Sequence, residues 1–397
     1  MIGFSQSKLG RKEVVGHMKT YRFMSILLIA TLALSALAGC GGPKAGQPIK
    51  IGLVAPLTGA SGGMGQSQER GYRLAMDEIN GAGGVNGRQI VLETYDDTGD
   101  PQKAASGAQK FADDKSIVAI GGSCNSSSTL AMIPIIDAAK LPDLVVTSSS
   151  PKLTGSSEYF FRMSVQDASV GPQMADVLLG LGHKTVAIMY PNNDYGKGLS
   201  EALRDRMIAQ GGEVLDSLTY QADDQDFSAQ LTTIKSLGPD AIALTGTQQD
   251  SGLIIKQIDQ MGLGIPIIGG TGLYNIKTLE VSGNEAAEGV ILIGVYVASN
   301  PDPKVQELVE KYKAKYDQIP DGFAALAYDQ MYVIAQAAKK AMDANKGNLT
   351  RDNLKDALKT TDYVGVTGHV KFNEVNDWVR PYLTLIVKNG EFVLFGG

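Results

Sequence analysis

Ile49-Lys-Ile-Gly-Leu-Val-Ala-Pro-Leu-Thr-Gly59 begins as a short apolar run and breaks at proline and glycine, and beyond Gly59 the hydrophobic period changes. From residue 66 to 80, Tyr72, Ala75, Met76 and Ile79 fall at the i, i+3, i+4, i+7 spacing of one helix face, and Gly81 supplies the stop. Residues 90–94 form a second apolar run without clean alternation, the pattern of a strand buried on both faces. Strand, helix and strand in that order make one βαβ unit, and the alternation continues outward from it to about residue 300.

The runs 49–54, 90–94, 117–120, 144–147, 185–190, 214–220, 241–245, 265–268 and 290–295 read as strands. Helices are expected over 66–80, 101–113, 226–237, 250–261, 303–316, 324–345 and 350–358, with Asp100 as an N-cap before Pro101. A four-strand set ends near residue 150 and a similar set runs from 184 to 268, so the simplest architecture is α/β, two doubly wound lobes in tandem. Strand-like runs at 368–372, 382–387 and 391–395 break this pattern. Such a tail leaves one lobe for the other, giving several crossings and a hinge that permits opening and closing.

The N-terminus has its own signature. Residues 23–38 carry no charge, are preceded by Lys19 and Arg22, and lead through Leu37-Ala38-Gly39 to Cys40, the layout of a bacterial lipoprotein signal. Residues 1–39 are read as the leader, starting at Met1 or at Met18, where Met18-Lys-Thr-Tyr-Arg22 opens an n-region directly, with Cys40 as the lipidated residue and 40–47 as a flexible tether. This places the protein outside the cytoplasm, lipid-anchored to the membrane at the cell surface or in the periplasm. Removing residues 1–39 takes away five Lys/Arg and one Glu, leaving 31 basic and 41 acidic side chains, a net charge of −10 that argues against nucleic acid. With Cys40 acylated, Cys124 has no intramolecular partner and reads as a small buried residue.

Catalytic constellations are scarce. The histidines are His17, His183 and His369, none in an HxxxH or HExxH setting, and no GxxxxGK[ST] loop occurs. No enzyme activity, cofactor or metal is expected. The glycines after the first strand, Gly59, Gly62, Gly63 and Gly65, lack dinucleotide spacing. Two polar loops at strand carboxyl ends remain, Gly121-Gly-Ser-Cys-Asn-Ser-Ser-Ser-Thr129 and Ser148-Ser-Ser-Pro151. Hydroxyl-rich loops opening helix N-termini suit an anion such as a carboxylate, although serines there also serve as caps and turn formers.

The run 49–59, then Gly83-Gly-Val-Asn-Gly87, Tyr95-Asp-Asp97, Ser126-Ser-Ser-Thr129 and Asn193-Asp-Tyr-Gly196, resembles the leucine/isoleucine/valine-binding proteins of ABC transporters across residues 48–397. The resemblance implies a type I periplasmic-binding-protein fold, two Rossmann-like lobes joined by three crossing segments. It divides the chain into a first lobe of 48–165 and 297–371 and a second of 166–296 and 372–397. It also implies closure on a small ligand and its delivery to an ABC permease and ATPase; the chain itself is expected to act as a monomer. Position by position, it assigns the ligand carboxylate to Ser126 and Ser127, with Ser148 and Ser149 from the next loop, and the opposite wall to Tyr195. Met64 stands where relatives carry an aromatic, and Thr247, Gln248 and Asp250 form a second-lobe wall. Thr271 stands where amino-acid binders carry the acid that meets the ammonium, so Asp250, Asp194 or another carboxylate substitutes, or the ligand has no ammonium. The expectation is a receptor for a branched-chain or related amino acid; the alternatives are an aromatic or aliphatic carboxylate, an amide or urea, or a sensory protein without transport.

Overall fold

The computed structural model describes Gly3 and residues 46–396; the leader at 1–39, the anchor at Cys40 and most of the 40–47 tether lie outside the described residues. From Gln47 onward the chain folds as one body built on two large sheets. The first contains β1 (Ile49–Ala55), β2 (Ile90–Asp96), β3 (Ile117–Gly122), β4 (Asp143–Val145) and β5 (Phe160–Arg162), all parallel, in the order β2-β1-β3-β4-β5. Its helices are α1 (Gly62–Gly81), α2 (Pro101–Asp113) and α3 (Ser126–Ala139).

After α4 (Asp167–Gly180) the motif repeats through β6 (Thr185–Pro191), α5 (Asp194–Ala209), β7 (Glu213–Tyr220), α6 (Ser228–Leu237), β8 (Ala241–Leu244), α7 (Gln248–Gln260) and β9 (Ile267–Gly269). The short helices α8 (Ile276–Ser282) and α9 (Asn284–Ala287) then lead to β10 (Ile291–Gly294). Strands β7-β6-β8-β9-β10 reproduce the order of the first sheet, and the antiparallel β13 (Leu383–Lys388) and β14 (Glu391–Leu394) extend it. In each sheet the strand order reverses beside the first strand, at β1/β3 and at β6/β8, and ligands bind outside the carboxyl ends at such switch points.

Helices α10 (Pro303–Tyr316), α11 (Gly322–Ala344) and α12 (Arg351–Leu358) return to the first lobe, where α11 packs along α1. The two approach so closely that a Cβ at Gly71 would stand 2.2 Å from the Ala324 carbonyl oxygen, so only glycine fits. A small hairpin, β11 (Tyr363–Gly365) with β12 (Gly368–Val370), is tied to α11 because Asp329 accepts from the backbone N–H groups of Val366 and Thr367.

The chain passes between the sheets after β5, after β10 and between β12 and β13. These passages are linked: the Gln166 N–H donates to Tyr382 Oη (3.3 Å), and Arg380 Nη2 donates to the Val295 carbonyl (2.8 Å). The segment 372–378 departs from the expected division, which gave it to the second lobe. Asp377 forms a parallel bridge with Arg162 of β5 and accepts its Nε (2.8 Å) and Nη2 (2.6 Å) in a fully buried ion pair, which holds this segment to the first lobe.

Candidate ligand-binding cleft

A cavity of about 530 Å³ lies between the carboxyl edges of the two sheets, lined from both lobes. Its first-lobe wall begins at the N-terminus of α3. Asn125, the N-cap, makes no side-chain capping bond, so the first turn keeps its N–H groups for another acceptor. Ser126 Oγ accepts the backbone N–H groups of Ser149 and Ser150, each at 3.2 Å, which leaves its own proton to donate. The Ser150 carbonyl is in turn fixed by Arg162 Nη1 at 3.0 Å, so the Arg162–Asp377 pair braces the loop that faces Ser126.

The expected serines divide into two groups. Ser126 and Ser127 line the cavity, whereas Ser148 and Ser149 do not. The Ser148 hydroxyl donates to the Ser123 carbonyl (2.9 Å) and lies 2.7 Å from Thr129 Oγ1, a clasp inside the lobe. Ser149 Oγ is buried without a partner. From this loop it is Thr147, not singled out in the sequence, that lines the cavity, and its buried Oγ1 has no hydrogen-bond partner. Met64 does form part of the apolar wall, joined by Ala60, Pro101 and Phe323 at the start of α11.

The second-lobe wall presents Tyr195, Thr247, Asp250 and Thr271. Tyr195 Oη accepts the Gly272 N–H at 3.2 Å, and burial, reinforced by the Asp167 and Asp250 carboxylates, keeps its phenol protonated. Asp250 Oδ1 accepts from the Thr247 N–H (2.8 Å) and hydroxyl (2.9 Å), closing a capping box on α7, and Oδ2 accepts from Tyr220 Oη (2.6 Å). Burial pushes the Asp250 carboxyl above its ordinary range despite these donors. Gln248 does not line the cavity; its Nε2 reaches toward the Ala60 carbonyl on the other lobe at 3.5 Å, and its Oε1 has no partner.

Two other carboxylates differ from Asp250. Asp194 sits at the mouth, ion-paired with Lys152 and accepting from Ser127 Oγ (2.9 Å). Burial opposes its ionisation, but these partners prevail and hold its carboxyl below the usual range. Asp167, absent from the sequence expectations, is fully buried at the first turn of α4 with neither oxygen partnered, and burial raises it to about 7 although Ser149 and Arg162 pull the other way. Among the described residues no group of three or more His, Cys, Asp or Glu is placed to hold a metal, and no helix is long and apolar enough to cross a membrane.

Two lobes of one strand order, facing each other across a cavity, are matched by the chain's relatives. Residues 48–390 match the family described as periplasmic binding protein. The chain belongs to that family, in its leucine/isoleucine/valine-binding branch. It is 29% identical over 371 residues to the leucine-, isoleucine-, valine-, threonine- and alanine-binding protein of Pseudomonas aeruginosa, covering 93% of this chain and 94% of that one. A branched-chain amino acid transporter substrate-binding protein of Streptococcus pneumoniae, solved in complex with isoleucine, superposes with a TM-score of 0.81 at 31% identity, covering 87% and 97%. A solute-binding protein of an ABC transporter from Rhodopseudomonas palustris, in complex with 3,4-dihydroxybenzoic acid, gives 0.80 at 26% identity, covering 87% and 95%. As a periplasmic binding protein of this kind, the chain is a solute-binding protein of a transport system rather than a member of an enzyme family.

Proposed function

We propose that this periplasmic binding protein is a lipid-anchored, extracytoplasmic receptor that closes as a monomer around an α-amino acid with an apolar side chain and presents it to an ABC permease and its ATPase. The observation that carries the ligand class is the asymmetry of the cavity. Its first-lobe wall offers donors: the Ser126 hydroxyl and the open first turn of α3, where the helix dipole favours a carboxylate. The opposite wall offers the buried Asp250 carboxylate, which has no cationic partner among the described residues. Donors at one end and negative charge at the other match a zwitterion, and Met64 and Phe323 suit an apolar side chain.

The test is a thermal-shift screen of the twenty amino acids, their 2-oxo analogues and benzoate derivatives. A ligand at one hundred times its dissociation constant adds about 2.7 kcal/mol of stability. Stabilisation by branched-chain or related amino acids is expected; stabilisation by benzoates alone would replace the reading with the aromatic-acid one that the Rhodopseudomonas relative favours. Anchoring rests on the Leu37-Ala-Gly-Cys40 signal. Cys40→Ala is expected to move the protein out of the membrane fraction or leave its leader uncleaved, and an unmodified N-terminus on soluble wild-type protein would remove the anchor from the proposal.

A further inference from the structure

We infer that Asp250 supplies the counter-charge for the ligand ammonium, from the start of α7, so that the acidic group of this site lies on a different element from the loop at Thr271. The inference rests on the proposal of an amino-acid ligand and names the residue that would make the site selective.

The candidates separate by what already occupies them. Thr271 lines the cavity but carries no charge. Asp194 is half-buried at the mouth, and its charge is met by Lys152. Asp167 is buried and unpartnered but does not line the cavity. Asp321, also buried, is taken by Ser67, Asn275 and the Ala324 N–H and faces a separate groove. Asp250 alone among these four carboxylates both lines the cavity and lacks a cation. It accepts three hydrogen bonds, and a carboxylate offers about four acceptor positions, so one remains for an incoming N–H.

The capping box does not by itself account for an acid here. At α12 the same chain builds a capping box from Thr350 and Asn353, an uncharged amide at the equivalent position. Asparagine would therefore satisfy Thr247 equally well, and burying a charge instead is costly unless something positive arrives to pair with it.

The experiment is titration calorimetry of wild type, Asp250→Asn and Asp194→Asn with the tightest amino acid of the screen and with its 2-oxo analogue. Because Asn can keep the cap, Asp250→Asn is expected to fold and to lose at least a hundredfold in amino-acid affinity while its affinity for the oxo acid changes less than threefold. Asp194→Asn is expected to lose less than tenfold for either. Equal losses for both ligands in Asp250→Asn, or none, would overturn the inference and leave the amino-acid reading standing. Failure of every amino acid to bind wild type would overturn both. Should Asp250→Asn not fold, Asp250→Glu keeps the charge and is expected to retain at least a tenfold preference for the amino acid; indifference between the two ligands would again overturn the inference.

Discussion

Asp167 shows how one side chain can impose a cost on folding. Its carboxyl is buried behind the Ser149 loop with neither oxygen hydrogen-bonded, and the positive group that acts on it, Arg162, is committed to Asp377. Folding therefore raises this group from its ordinary value of 3.8 to about 7. An acid whose pKa is raised on folding binds more protons in the native than in the unfolded state, so stability is fully present below the lower value and is lost as pH rises toward the higher one. Between about pH 4 and 7 the wild type should lose stability through this residue, and above pH 7 the loss should level off. Asp167→Asn removes the titration. Calorimetric unfolding of both proteins from pH 4.5 to 8 is expected to show the variant gaining on the wild type with rising pH, by at most roughly 4 kcal/mol at 1.36 kcal/mol for each pH unit between the two values. A difference that stays constant over that range would show that Asp167 ionises in the folded protein at its ordinary value, as in the unfolded chain.

At the scale of elements, what the sequence made legible rests on local chemistry. β1, α1 and β2 could be read because apolar period, glycine stop and strand length agree, and α2 because Asp100 caps it, accepting from Gln102 and Lys103 ahead of the turn that Pro101 preorganises. β5 and α4 could not. A three-residue strand has no period to detect, and α4 carries Gly171 and Pro172 in its interior, residues that ordinarily end a helix. The serine loops were conspicuous as short polar residues at strand ends, but which hydroxyl lines the cavity depends on how the strand end twists. At the end of β4 that geometry turns Ser148 inward to Ser123 and Thr129 and leaves Thr147 on the cavity. Phe323 escaped notice because α11 reaches the cavity from a later part of the chain rather than directly from a strand of either sheet, and Asp167, which does not line the cavity, because α4 itself could not be read. The hold of Arg162 on Asp377, more than two hundred residues apart, is likewise invisible to any local pattern.

For the whole molecule, the cleft is bridged at several points. Ser127 and Lys152 of the first lobe meet Asp194 of the second, Gln248 reaches Ala60, and Asn275 Nδ2 donates to Asp321 at 2.6 Å. If closure traps the ligand, contacts of this kind exist only in the closed form and act on escape rather than entry. Asp194 is the most informative of them because one side chain joins two partners on the opposite lobe, and removing it leaves the inner walls at Ser126 and Asp250 intact. Exposed ion pairs contribute about 0.2–1 kcal/mol, and the hydrogen bond to Ser127 adds a comparable amount, so Asp194→Ala should weaken binding by roughly twofold to thirtyfold. The kinetics discriminate further than the affinity. Stopped-flow measurement with the tightest amino acid is expected to show an association rate within twofold of wild type and a dissociation rate raised severalfold, since the variant reaches the same encounter complex but holds the lobes together less firmly. An unchanged dissociation rate with slowed association would assign Asp194 and Lys152 to guiding the ligand in, and the closed form would then be held by the inner walls alone.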